Sequence, residues 1–236
     1  MNTRRSLLVS SAAAFALSPL AAFAKSVNLA SDADAVCTLT CGQTLGPCYY
    51  SPVQVRRDIT EGSVGLPMLL SFQVVNADTC QPIANASVDI WHTDRNGVYS
   101  APIAAICNPG DTGARQKTFL RGVQMTDSSG WAHFNSVFPG WYSGRTVHIH
   151  ATVRINNTAA VTTQFYFDDA LSESIYRNHP AYAARPNRDT TNARDGVLGG
   201  SLSRMAPYIL STKLIDDRAL AARKVLAVRM PSRCTA

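Results

Sequence analysis

The chain has 236 residues, 46% of them hydrophobic and 16% charged, and carries a formal charge of +6. That composition supports one domain with its own core and excludes a disordered polyelectrolyte. No Lys/Arg run of the kind that tracks phosphates is present, so nucleic acid is not an expected partner.

Met1–Arg5 is basic, Leu7–Phe23 is an apolar run, and Ala22-Phe23-Ala24 has the small-x-small form of a cleavage site. Residues 1–24 are therefore expected to be a cleavable signal peptide. Arg4-Arg5 ahead of the run resembles a twin-arginine signal; an ordinary secretory signal is the alternative. Either route predicts an exported chain, periplasmic or secreted. Removing 1–24 takes away two arginines and no acid, which brings the charge from +6 to +4. The run is short for a membrane span and no other stretch is apolar enough, so no stable membrane anchoring is expected after signal removal.

Residues 25–44 are expected as a lead-in and 45–236 as the folded domain. Cys37, Cys41, Cys48, Cys80, Cys107 and Cys234 are even in number. In an oxidising compartment they predict structural disulfides, whose pairing the spacing leaves open. A zinc or redox site is the alternative, but Cys37-x3-Cys41 has no second half.

Leu66–Ala77 and Ala86–Trp91 read as strands, with Asp94-Arg95-Asn96-Gly97 turning the chain into Val98-Tyr99. Residues 101–116 read as a long loop, Lys117–Thr126 and Trp131–Val137 as strands around an Asp127–Gly130 turn. From Val147 the chain alternates cleanly: Val147, Ile149, Ala151 and Val153 on one face, His148, His150 and Thr152 on the other. Asn156-Asn157 turns into the strand Ala160–Phe167; the match of Asn156–Thr158 to a glycosylation sequon is read as this turn alone. Ala170–Arg177 reads as a short helix and Asn178–Gly200 as a polar surface excursion. Met205–Leu214 and Ala219–Met230 read as a closing hairpin, although Ala219–Val228 has a composition that also suits a helix. Short strands at this spacing predict an all-β fold, a single β-sandwich or barrel domain with long loops and little helix.

Two imidazoles at i and i+2 on a strand can share a metal ion, and His-x-His alone suits zinc, copper or iron. Few acids stand nearby to complete a zinc or two-His-one-carboxylate set. Tyr142 does, and Tyr99 on the earlier strand region. A phenol with a pKa near ~10 ionises at neutral pH only beside strong positive charge. Two His and two Tyr therefore point to Fe(III). His92 is read as structural or pocket-lining, and His133 and His179 as surface or hydrogen-bonded groups. Trp91 and Trp141 read as core or pocket packing.

The ordered motifs Asp89-Ile90-Trp91-His92, Gly97-Val98-Tyr99, Pro139-Gly140-Trp141-Tyr142, Arg145-x-x-His148-Ile149-His150 and Gln164 resemble the intradiol ring-cleavage dioxygenases. The resemblance runs from about Gly46 to Phe167. It implies a non-haem Fe(III) cofactor, with Tyr99 and His150 as equatorial ligands and Tyr142 and His148 as axial ones. It implies that Tyr142 also acts as a base, that Arg145 stabilises negative charge over the bound ring, and that Gln164 supports Arg145. Tyr49, Tyr50, Trp91 and Trp141 would line the substrate pocket. The implied reaction takes a small aromatic diol and O2 to a cis,cis-muconate-type diacid. Tyr142 and His148 are closer in sequence than in the well-known cytoplasmic members, which implies a trimmed pocket wall. A non-enzymatic exported binding module and a zinc or copper protein using the same His pair are the competing readings.

Overall fold

Alternation in the sequence decides where the strands form. The strand β1 (Pro67–Asn76) buries Met68, Leu70, Phe72 and Val74 in turn. The same two-residue period shapes β2 (Ser87–Trp91), β3 (Arg121–Met125), β4 (Trp131–Val137), β5 (His148–Ile155) and β6 (Thr158–Tyr166). The strands β7 (Ser211–Ile215) and β8 (Ala219–Val228) close the chain. The computed structural model describes residues 37–51, 53–185, 187–216, 218–230 and 234. The expected signal peptide, 1–24, and residues 25–36 of the lead-in lie outside the described residues.

Among the described residues two four-stranded sheets result, ordered β4-β1-β8-β7 and β3-β2-β5-β6, the β-sandwich expected from the sequence. All pairings are antiparallel except β1 with β8. The sheets share a core of aliphatic and aromatic side chains, with the Phe72 and Phe165 rings meeting at 5.2 Å. Among the described residues, no helix is long and apolar enough to cross a membrane.

All six cysteines pair, as Cys37–Cys80, Cys41–Cys234 and Cys48–Cys107. The described end of the lead-in is bound into the sandwich: Thr40 N–H donates to Ala227 O, and Gln43 N–H donates to Thr162 O, each at 2.8 Å. The Asn156-Asn157 turn joins β5 to β6 with both residues at positive φ, 50° and 63°, a conformation asparagine tolerates well.

Three expectations are corrected. The third strand begins at Arg121, not Lys117, because Leu120 turns the chain at φ 57°. Residues before Ser211 form a short helix α2 (Leu202–Met205) and a 3-10 turn (Ala206–Tyr208) in place of strand. Most consequentially, Asn178–Gly200 is no surface excursion. After the helix α1 (Asp169–Asn178), capped by Asp168, it buries Tyr182, Thr190, Asn192, Asp195 and Leu198. Tyr182, Asn192 and Asp195 are buried with hydrogen-bond partners in the 138–146 turn described below.

Candidate active site

Strand register sets one row of side chains across the outer face of the second sheet. Arg121 on β3 pairs with Trp91 on β2, Trp91 with His150 on β5, and His150 with Gln164 on β6. His148 lies one step along, opposite Tyr166. These six residues are buried, although they face away from the sandwich core. Loops from 41–50, 94–120, 138–147 and 189–198 cover them.

Two of those loops deliver the tyrosines. Gly97 and Gly140 let the 94–97 and 139–141 turns touch backbone to backbone. A Cβ on Gly97 would lie 2.1 Å from Trp141 O, and one on Gly140 would lie 2.3 Å from Arg95 O. The disulfide Cys48–Cys107 fixes the Tyr99 loop from the other side, with Tyr99 N–H donating to Cys107 O at 2.9 Å.

Tyr99, Tyr142, His148 and His150 meet at this point. His148 donates Nδ1–H to Thr146 O at 2.6 Å, which leaves the Nε2 lone pair free. The Tyr99 and Tyr142 hydroxyls both approach that nitrogen, at 3.3 and 3.2 Å. A single lone pair cannot satisfy two phenol donors well. His150 packs beside His148 with ring centroids 4.9 Å apart, and its Nδ1 meets no protein partner among the described residues. Burial pushes His148 down to about 3 and His150 well below the ordinary range, and the nearby Arg145 adds to both. Both imidazoles are neutral at pH 7. Burial likewise raises both phenols, while Arg145 favours their ionised forms. Four neutral oxygen and nitrogen donors crowd one point, an arrangement that a hard cation would relieve by ionising the phenols. Among the described residues no group of three or more His, Cys, Asp or Glu could hold a metal ion, so a metal at the two histidines would need the phenols as further ligands. The residues present fit Fe(III).

The Arg145 guanidinium spans the cluster. Nε donates to Asp195 Oδ2 at 2.9 Å and Nη2 to Gln164 Oε1 at 2.6 Å, while Nη1 lies 3.5 Å from Tyr142 Oη. Gln164 donates from Nε2 to Thr44 O at 2.9 Å, which fixes its amide orientation.

The expected pocket residues divide. Trp91 stacks on His150, with centroids 4.8 Å apart and planes 11° from parallel. Tyr49 meets Trp91 edge-on at 4.8 Å, and its hydroxyl donates to Asp89 Oδ2 at 2.9 Å. Trp141 packs under Arg185, whose guanidinium lies 4.7 Å from the indole centroid. Tyr50 lines a small cavity together with Val53, Arg56 and Arg121. His92 is satisfied by Thr93 O at 2.8 Å and Ser136 Oγ at 2.7 Å, and is structural.

Arg121 and Asp195 escaped the sequence reading. Arg121 is buried beneath Tyr99, 5.8 Å from its ring centroid, and donates to Ser100 Oγ, Ser100 O and Cys48 O. Burial lowers its pKa to about 10, so it stays charged and favours an ionised Tyr99. No motif flags either residue; only its place in the fold does.

Residues 176–195 form a strap that holds the 138–146 turn almost residue by residue. Tyr182 and Tyr176 donate to Phe138 O and Pro139 O at 2.6 and 2.7 Å, and Arg185 donates to Trp141 O at 2.8 Å. Asp189 accepts from Ser143 Oγ and Gly144 N–H, and Asn192 accepts from Thr146 Oγ1 at 2.7 Å.

Comparison with known proteins points to one family. A family model described as Dioxygenase matches residues 46–187. Chlorocatechol 1,2-dioxygenase of Pseudomonas putida is 29% identical over 112 residues, 40% of this chain and 40% of that protein. Catechol 1,2-dioxygenase 1 of Acinetobacter lwoffii is 25% identical over 163 residues, 59% of this chain and 49% of that protein. The chain thus spans half or less of the length of these curated relatives. An intradiol ring-cleavage dioxygenase from Tetranychus urticae superposes with a TM-score of 0.70 and is 28% identical, over 84% of this chain and 98% of that one.

Proposed function

The chain belongs to the intradiol ring-cleavage dioxygenase family, and we propose that it cleaves a catechol-type ring between the two hydroxyl-bearing carbons with O2. The product is a cis,cis-muconate-type diacid. Both oxygen atoms enter it, one carbon–carbon bond breaks, and no external reductant is consumed. The observation that carries the reading is the convergence of the Tyr99 and Tyr142 hydroxyls on His148 Nε2 beneath the Arg145 guanidinium.

Tyr99, Tyr142, His148 and His150 would hold the metal. A ferric ion bound there would ionise the phenols and accept the deprotonated diol, activating the ring towards O2. Tyr142 is only half-buried whereas Tyr99 is buried. Tyr142 Oη is therefore the phenol oxygen placed to take a proton from an incoming diol. Arg145 Nη1, beside that oxygen, stabilises negative charge that develops on the ring. Trp91 and Tyr49 give an aromatic wall that keeps His150 in place and water out.

The chain is also read as exported, on the strength of its expected leader and its three disulfides.

The test is the visible spectrum of the iron-reconstituted protein before and after anaerobic catechol, followed by O2 uptake and product mass. A red-brown band that moves to longer wavelength with catechol, and a ring-opened diacid on admitting O2, is the expected result. A protein that stays colourless after reconstitution rules the reading out.

A further inference from the structure

We propose that Asp195 is the positioning residue for Arg145, holding its guanidinium in the one orientation that turns Nη1 towards Tyr142. The inference rests on the ring-cleavage reading of the cluster.

The geometry carries it. A guanidinium is planar, and two fixed acceptors at different corners determine its plane. Asp195 Oδ2 takes the Nε corner at 2.9 Å and Gln164 Oε1 takes the Nη2 corner at 2.6 Å. Only Nη1 is left to face the site, 3.5 Å from Tyr142 Oη. The side chain of Asp195 is 0% exposed and that of Arg145 is 18% exposed, so the arginine is the partner with room to swing.

Asp195 is itself immobilised. Its Oδ1 accepts from Val197 N–H and Leu198 N–H, both at 2.9 Å. Its Oδ2 accepts, besides Arg145, the backbone N–H of Thr146 at 2.9 Å. Thr146 O in turn accepts from His148 Nδ1. One carboxylate oxygen therefore holds the arginine side chain and the backbone N–H of the residue whose carbonyl orients a ligand histidine. All four bonds run from donors to a carboxylate. An amide cannot reproduce them: if its oxygen serves Val197 and Leu198, its NH2 faces the Nε–H of Arg145 and the N–H of Thr146. Asp195 also lies beyond residues 46–187, the part matched by the family model. This restraint therefore comes from a residue outside the matched segment.

The experiment uses the full mature chain with Asp195→Asn, Asp195→Glu and Arg145→Gln, alone and combined. In the iron-free protein, NMR of the arginine Nε–H groups reads the contact without any reaction. The Arg145 signal is expected to exchange slowly in the parent chain and rapidly in Asp195→Asn. In the iron-loaded protein, Asp195→Asn is expected to lower kcat at least ~30-fold while anaerobic catechol affinity changes less than ~3-fold. Asp195→Glu restores part of kcat. In the Arg145→Gln background Asp195→Asn costs less than ~2-fold more, because its partner is already gone. Equal losses in both backgrounds, or an unchanged kcat, overturn the proposal. Should Asp195→Asn fail to fold, Arg145→Lys keeps the charge without the Nε corner: the same kcat loss supports the proposal, and full activity overturns it. A colourless parent protein with a slowly exchanging Arg145 Nε–H would sink the ring-cleavage reading, and with it the catalytic role of Asp195, while leaving the contact itself in place.

Discussion

The indole of Trp91 lies flat on the imidazole of His150, two strands sharing one stacked pair at 4.8 Å. Trp91 thus packs against a proposed ligand, His150, that has no hydrogen-bond partner at Nδ1 among the described residues. Trp91→Ala is expected to cost about 3–5 kcal/mol of stability, the usual range for deleting a buried indole. Iron content after reconstitution should fall with it. Trp91→Phe keeps an aromatic face on His150 and should retain most of the iron. Denaturant unfolding and metal analysis of the two variants test this together.

The two tyrosines should separate by role. Each hydroxyl approaches the same His148 nitrogen, so removing one leaves the other as its partner. Tyr99→Phe and Tyr142→Phe should therefore each cost less than about 1 kcal/mol in the iron-free protein. After iron loading, both should weaken the visible band. Tyr142→Phe should in addition lower kcat by about 10²–10⁴-fold, the range for losing a positioned proton acceptor. Absorption spectra and oxygen uptake distinguish the two.

Stability should rise with pH across the acidic range. Burial lowers His92 to about 4 from its ordinary 6.5. Between those values the unfolded chain binds the proton and the folded one does not, so acid favours unfolding. The contribution is complete above pH 6.5 and is lost as pH falls towards 4, amounting to a few kcal/mol. Urea unfolding of the iron-free protein at several pH values should show this slope. His92→Gln should reduce the slope without abolishing it, because burial also holds His148 and His150 neutral in the folded state.

Gly97 and Gly144 have nearly the same backbone, φ +82° and +81°, but different surroundings. A Cβ on Gly144 meets nothing within 4 Å, whereas one on Gly97 would strike Trp141 O at 2.1 Å. Gly144→Ala should cost about 1–2 kcal/mol from the left-handed conformation alone. Gly97→Ala should cost more, and should lower iron affinity by pushing the Tyr99 and Tyr142 turns apart. Thermal melts and iron titration of the pair check the difference.

Much of this site could be read before any coordinates, for a local reason. His148 and His150 sit on a strand whose period of two fixes their shared face. Tyr99, Tyr142, Arg145 and Gln164 stand in ordered motifs around it. The strands were legible by the same alternation, and β8 was correctly preferred as strand over helix. What stayed hidden depends on partners far along the chain. Asp195 meets Arg145 across 50 residues, and Arg121 meets Cys48 across 73. The 178–200 stretch looked solvated because its polar composition is real. Its partners are the carbonyls, amides and two hydroxyls of the 138–146 turn, and composition carries no record of those.

The parallel pairing of β1 with β8 has a consequence for how the protein is made. Among the strands of the described residues β1 is synthesised first and β8 last, yet they are neighbours in the middle of one sheet. Until β8 has emerged, β1 keeps one edge bare and β7 lacks its partner. Closure over so long a separation makes folding slow. Nascent chains must therefore pass through an interval in which capture by a chaperone, or by another copy's exposed edge, competes with completion of the sandwich. Chains cut short after Ile215 would never leave that interval.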